Sequence, residues 1–109
     1  MTLRQLIKNA HTNAHNKGFY KTRNCLKSIG CIPLSGNTTA QIMLVVTELS
    51  EAVEALRHDD IPNFQEEIAD TFIRLFDMCG ALGMENLEEI ILRKMEINAN
   101  REEKHGKEF

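Results

Sequence analysis

The chain has 109 residues, 42% of them hydrophobic, and a formal net charge of −3. That length suits a single domain spanning residues 1–109, and the dispersed Lys and Arg form no basic field of the kind that draws a protein to nucleic acid. No apolar run nears the ~20 residues that a membrane span requires, and the first residues lack the layout of a secretion signal.

In chain order, four helices and no strand are predicted. Leu3, Leu6, Ile7, Ala10 and Ala14 recur at the 3–4 spacing of one helix face, so the first helix is expected over about 2–17. His11 and His15 lie one turn apart on it. With no acidic or thiol partner nearby in sequence, they read as a surface pair rather than as metal ligands. Residues 18–37 hold three glycines and a proline and show no period, which predicts a long connection. Cys25, Cys31 and Cys79 are an odd set without disulfide or zinc-site spacing, so reduced thiols and a cytoplasmic location are expected.

Thr38 or Thr39 can cap a second helix running to about Arg57, and the helical core should occupy about 38–104. The break at His58–Pro62 offers Asp59 or Asp60 as the next cap and tolerates Pro62 in a first turn. A third helix should run to Leu82, stopped near Gly83, and a fourth from Glu85 or Asn86 past Arg101. On the second helix Ile42, Val45, Val46, Leu49, Ala52, Val53 and Leu56 gather on one side, the expected core face. Glu48 and Glu51 fall opposite, with Leu44 and Ala55. On the third, Phe64, Ile68, Phe72, Leu75, Phe76, Cys79 and Leu82 form the apolar stripe, with Glu67, Asp70, Arg74 and Asp77 opposite.

Folding these two helices back at Asp59 puts Glu48 level with Asp70 and Glu51 level with Glu67, about 12–16 Å from the turn. Carboxylates gathered in this way repel one another and raise one another's pKa unless a cation sits among them. Hard oxygen ligands suit Mg²⁺, with Mn²⁺ the next choice, and Mg²⁺ commonly takes a substrate phosphate as a further ligand. A solvated acidic face is the competing reading, and Glu51–Glu54 and Glu85–Glu88 are read as only that. On the fourth helix Leu87, Ile90, Ile91, Lys94, Asn98 and Arg101 follow one stripe that turns polar. Its lysine, amide and arginine suit phosphate oxygens and sugar hydroxyls. Cations near a helix end are also favoured by the macrodipole alone.

Glu48-Leu-Ser-Glu51, fifteen intervening residues and Glu67-Ile-Ala-Asp70 resemble the signature of the MazG-like all-alpha nucleoside triphosphate pyrophosphohydrolases. The texture of "ELSEAVEALR", "EEIADTFIRL" and the ending "KMEINANREEKHGKEF" is similar too, and the likeness covers about residues 38–109. The resemblance implies an all-α, four-helix bundle-like protomer in a homodimer or dimer of dimers. It implies Mg²⁺-dependent hydrolysis of (d)NTP to (d)NMP and pyrophosphate, with Glu48, Glu51, Glu67 and Asp70 binding metal and carrying catalysis. Lys94, Asn98 and Arg101 would hold phosphate or sugar, across a subunit interface if need be. Phe19 and Tyr20, at the start of the long connection, could stack on a base or equally serve as aromatic plugs of the core.

Other readings stand beside this one. Phosphoribosyl-ATP pyrophosphohydrolases share the architecture, but their Tyr-His after the second acidic pair is absent, Phe72-Ile73 standing in that region. A di-iron bundle needs Glu-x-x-His on two helices, and only Glu102-x-x-His105 is available. A non-enzymatic helical interaction module would carry the same acids merely as a solvated face.

Overall fold

Four helices occupy the described residues, 1–17 and 36–101, of the computed structural model: α1 (Leu3–Asn16), α2 (Gly36–Arg57), α3 (Ile61–Ala81) and α4 (Leu87–Ala99). No strand occurs among the described residues, and no helix is long and apolar enough to cross a membrane. Most of the predicted connection at 18–37, including Phe19, lies outside them. The second helix begins at Gly36, ahead of the expected caps, so Thr38 sits within its first turn and is buried. The fourth stops at Ala99 rather than beyond Arg101. There the Asn100 amide folds back to the carbonyls of Glu96 and Ile97 and tightens the last turn.

The hinge between α2 and α3 is a short, fully bonded reversal. Asp59 takes the left-handed conformation at φ 56°. Its amide donates to Leu56 O at 3.0 Å, and that of Asp60 donates to Ala55 O at 2.9 Å. This is the paired bonding that closes a helix on a left-handed residue. The Asp60 carboxylate then accepts from the Asn63 amide at 3.2 Å and starts α3, with Pro62 where no amide is needed. Gly83, at φ 75°, ends α3 in the same manner, with Met84 N donating to Cys79 O at 2.8 Å. At the other end of the fold, Thr2 and Gln5 cap α1 reciprocally.

α3 lies between α1 and α2, and α4 touches chiefly α1. The face that α2 turns inward keeps only Val45 and Ala52 of the expected one. Thr38, Gln41, Val45, Ala52 and Ala55 are buried, with Glu48 in the same row, whereas Ile42, Val46, Leu49, Val53 and Leu56 are between 43% and 51% exposed. Both rows alternate steps of three and four, so either could form a helix seam. The small side chains of Ala52 and Ala55 let α3 approach closely, which the bulky aliphatic row would prevent. On α3 Cys79 is buried as expected, but Phe72 is 52% exposed and Asp77, expected on the polar side, is 8% exposed.

α1 explains the burial of Asp77. It docks on α3 through Ile7, which is fully buried, and Ala14. Between them His11 Nδ1 lies 2.9 Å from Asp77 Oδ1, so His11, while its ring still meets that of His15 edge-on at 6.3 Å, is also an inter-helix partner. Gly80 makes the approach possible, because a Cβ there would meet His11 Cβ at 2.5 Å. Every residue of α4 from Ile91 to Ala99 is exposed, including Leu92, Met95 and Ile97.

Candidate functional site

The tight reversal at Asp59 fixes the register of α2 on α3, and Glu48 faces Glu67 and Asp70 across their seam. One carboxylate oxygen from each of the three lies within 4.8 Å of the others. That spacing allows hard oxygen ligands, at about 2.0–2.6 Å from an ion, to share one divalent cation. The Glu48 side chain is only 12% exposed. Glu67 is half-buried and Asp70 is exposed.

Clustered acids alone are common on helix surfaces, and Glu67 carries the further evidence. Its Oε1 is buried with no hydrogen-bond partner among the described residues. An orphaned acceptor is costly unless something outside the chain satisfies it. The carboxyl is also pushed up from 4.5 to about 7. The closely facing Glu48 carboxyl contributes most, burial follows, and the charges of Glu51, Glu48 and Asp70 add to both. Two carboxyl groups that face each other so closely favour the state in which one keeps its proton. The donor set is all oxygen and rich in negative charge, so it fits Mg²⁺ or Mn²⁺.

Glu51 stands to one side of the three-oxygen cluster. It is exposed and shares a shallow cavity of about 330 Å³ with Glu67, Glu54 and His58 near the reversal. On the opposite flank a second cavity, of about 240 Å³, opens between α1 and α3. Asn13, Lys17, Glu48, Asp70, Arg74 and Asp77 supply its polar lining. The acidic cluster thus borders an α1 surface with an amide and a cation.

Lys94, Asn98 and Arg101 are exposed, and no hydrogen bond or ion pair among the described residues joins them to the carboxylates. Two groups at the site were not anticipated as partners. Arg74 Nε donates to Glu48 Oε2 at 2.6 Å, and Asp77 pairs with His11. For Arg74 the signal was partial: it follows Asp70 by one helical turn on the same face, one turn beyond the height of Glu48 and within reach of a long side chain. His11 and Asp77 are 66 residues apart, and no local pattern links them.

No family model, curated protein or solved structure matches the chain.

Proposed function

We propose that the chain is a divalent-metal-dependent nucleoside triphosphate pyrophosphohydrolase of the MazG-like kind, converting (d)NTP to (d)NMP and pyrophosphate. The observation that carries this reading is the convergence of Glu48, Glu67 and Asp70, with a buried Glu67 oxygen that has no hydrogen-bond partner among the described residues. Their chemistry fits Mg²⁺, with Mn²⁺ as an alternative. When bound, such an ion supplies charge neutralisation to the triphosphate and lowers the pKa of a water.

The chain's own residues divide the remaining work. Glu48, Glu67 and Asp70 act as ligands, and ionisation of Glu67 readies its second oxygen. Glu51 lines a cavity with Glu67 outside the three-oxygen cluster and, on this reading, accepts a proton from the attacking water. The cavity between α1 and α3 borders Glu48 and Asp70 and receives the nucleoside, with Asn13 offering an amide to it.

The proposal includes a homodimer. Among the described residues sixteen large hydrophobic side chains are at least 40% exposed, seven of them on α2, and this much apolar surface is unusual for a monomer. A second copy covering the Ile42–Leu56 row is also what would let α4 bring Lys94, Asn98 and Arg101 to a substrate. The test is a release assay with Mg²⁺ over common and modified (d)NTPs and phosphoribosyl-ATP, separating NMP plus pyrophosphate from NDP plus phosphate. Metal-dependent pyrophosphate release is expected. Absence of release from every nucleotide by correctly folded protein would refute the reading.

A further inference from the structure

Arg74 occupies the boundary between the acidic cluster and the α1–α3 cavity. Among the described residues it makes the one ion pair that reaches the cluster, to Glu48 at 2.6 Å. That bond uses Nε. A guanidinium carries five N–H donors in a planar fork, so the bond leaves both terminal amino groups for a second ligand. Arg74 also lines the cavity, its side chain is 34% exposed, and Lys17 contributes a second cation to the same lining. Glu48, Asp70 and Asp77 line it too. An anion could therefore settle there only beside the cations, with the nearby carboxylates neutralised by metal.

We propose that Arg74 is a bridging residue, holding the Glu48 carboxylate through Nε and gripping a substrate phosphate through its terminal amino groups at the edge of the metal cluster. This role rests on the metal-dependent reading above. It is distinct from that of Lys94, Asn98 and Arg101, which lie on the exposed α4. The bridge ties anion binding to the orientation of one metal ligand. A lysine could not perform both tasks, because its single ammonium is a point charge without the fork. A purely structural Arg74 would instead act as counter-charge between α2 and α3, and Lys would replace it.

The experiment uses the full chain and inorganic pyrophosphate as probe, titrated calorimetrically into Mn²⁺-saturated protein. Mn²⁺ affinity and melting temperature are measured alongside. Arg74→Gln is expected to weaken pyrophosphate binding about 10- to 100-fold, the range for loss of a charge-assisted contact. Arg74→Lys is expected to recover the melting temperature while leaving pyrophosphate binding at least about fivefold weak. Full recovery of pyrophosphate affinity by Lys overturns the bridge, as does unchanged affinity in Arg74→Gln with only the melting temperature lowered. Failure of the unaltered protein to bind Mn²⁺ removes the metal reading itself and the bridge with it. Mn²⁺ binding with pyrophosphate affinity unaffected in both variants removes the bridge alone.

Discussion

Glu67 shows how a single side chain can report on what a site expects to hold. In the folded chain it keeps its proton up to about 7, against 4.5 for the ordinary carboxyl. Between those values the folded state binds the extra proton, so the stability Glu67 contributes is complete below 4.5 and is lost as pH rises through about 7. Metal-free protein should therefore melt at lower temperature near about pH 8 than near about pH 5.5, and Glu67→Gln should largely remove that difference. A divalent cation binds the ionised form. Mn²⁺ should raise the melting temperature strongly at the higher pH and little at the lower, as scanning calorimetry with and without metal would show. Glu67→Gln and Glu51→Gln should each abolish metal-dependent turnover with helicity by circular dichroism intact, and Glu67→Gln should be the more stable protein at the higher pH because like-charge repulsion is relieved. Normal turnover in both variants would exclude the assigned roles.

The helices meet through devices that involve very few atoms. Gly80 sits under His11, where an added Cβ would approach His11 Cβ to 2.5 Å, closer than packing permits. Gly80→Ala must push α1 off α3 or twist His11 away from Asp77, at a cost of about 1–3 kcal/mol. Because α1 forms one wall of the cavity beside Glu48, the same change should weaken nucleotide binding more than Mn²⁺ binding, which a pair of calorimetric titrations can separate. Asp59 is the converse case. It holds a left-handed conformation at φ 56° that glycine adopts without penalty. Asp59→Gly should stabilise the chain by about 0.5–1 kcal/mol in urea unfolding, with the register of α2 on α3 unchanged.

As a whole the protomer has one packed layer, α1 on α3 on α2, and a fourth helix that is covered along little of its length. The outward row Ile42, Val46, Leu49, Val53 and Leu56 has the three-four alternation of a helix seam. Burying it against a second copy would gain about 1.5–3 kcal/mol for each side chain fully covered. Leu49→Asp places a charge at the middle of that row. It should convert a homodimer to monomer in light scattering at micromolar concentration and reduce turnover, while leaving the acidic cluster of each chain unaltered. An unaltered protein that is monomeric and fully active would count against the assembly.

The sequence by itself determined where the helices lie and how two of them reverse. The positions of Gly83, of Asp59–Asp60 and of Pro62 dictate the breaks because each break needs a left-handed residue, an amide acceptor or a missing amide. Once the reversal is centred at Asp59, equal distances along α2 and α3 bring Glu48 and Asp70 to one height, so three of the four expected acids were legible as a cluster, while Glu51 stands to one side. The choice of face was not. α2 carries two rows of equal period, and hydrophobicity pointed to Ile42, Val45, Val46, Leu49, Ala52, Val53 and Leu56 as the inward side, of which only Val45 and Ala52 are buried. Periodicity identifies a row but not the surface that will cover it, and α3 took the row whose alanines permit close approach. Only the tertiary structure brought Arg74 onto Glu48 and His11 onto Asp77. No local pattern connects His11 with Asp77, and for Arg74 the shared face with Asp70 brought it near Glu48 while packing decided that the two meet.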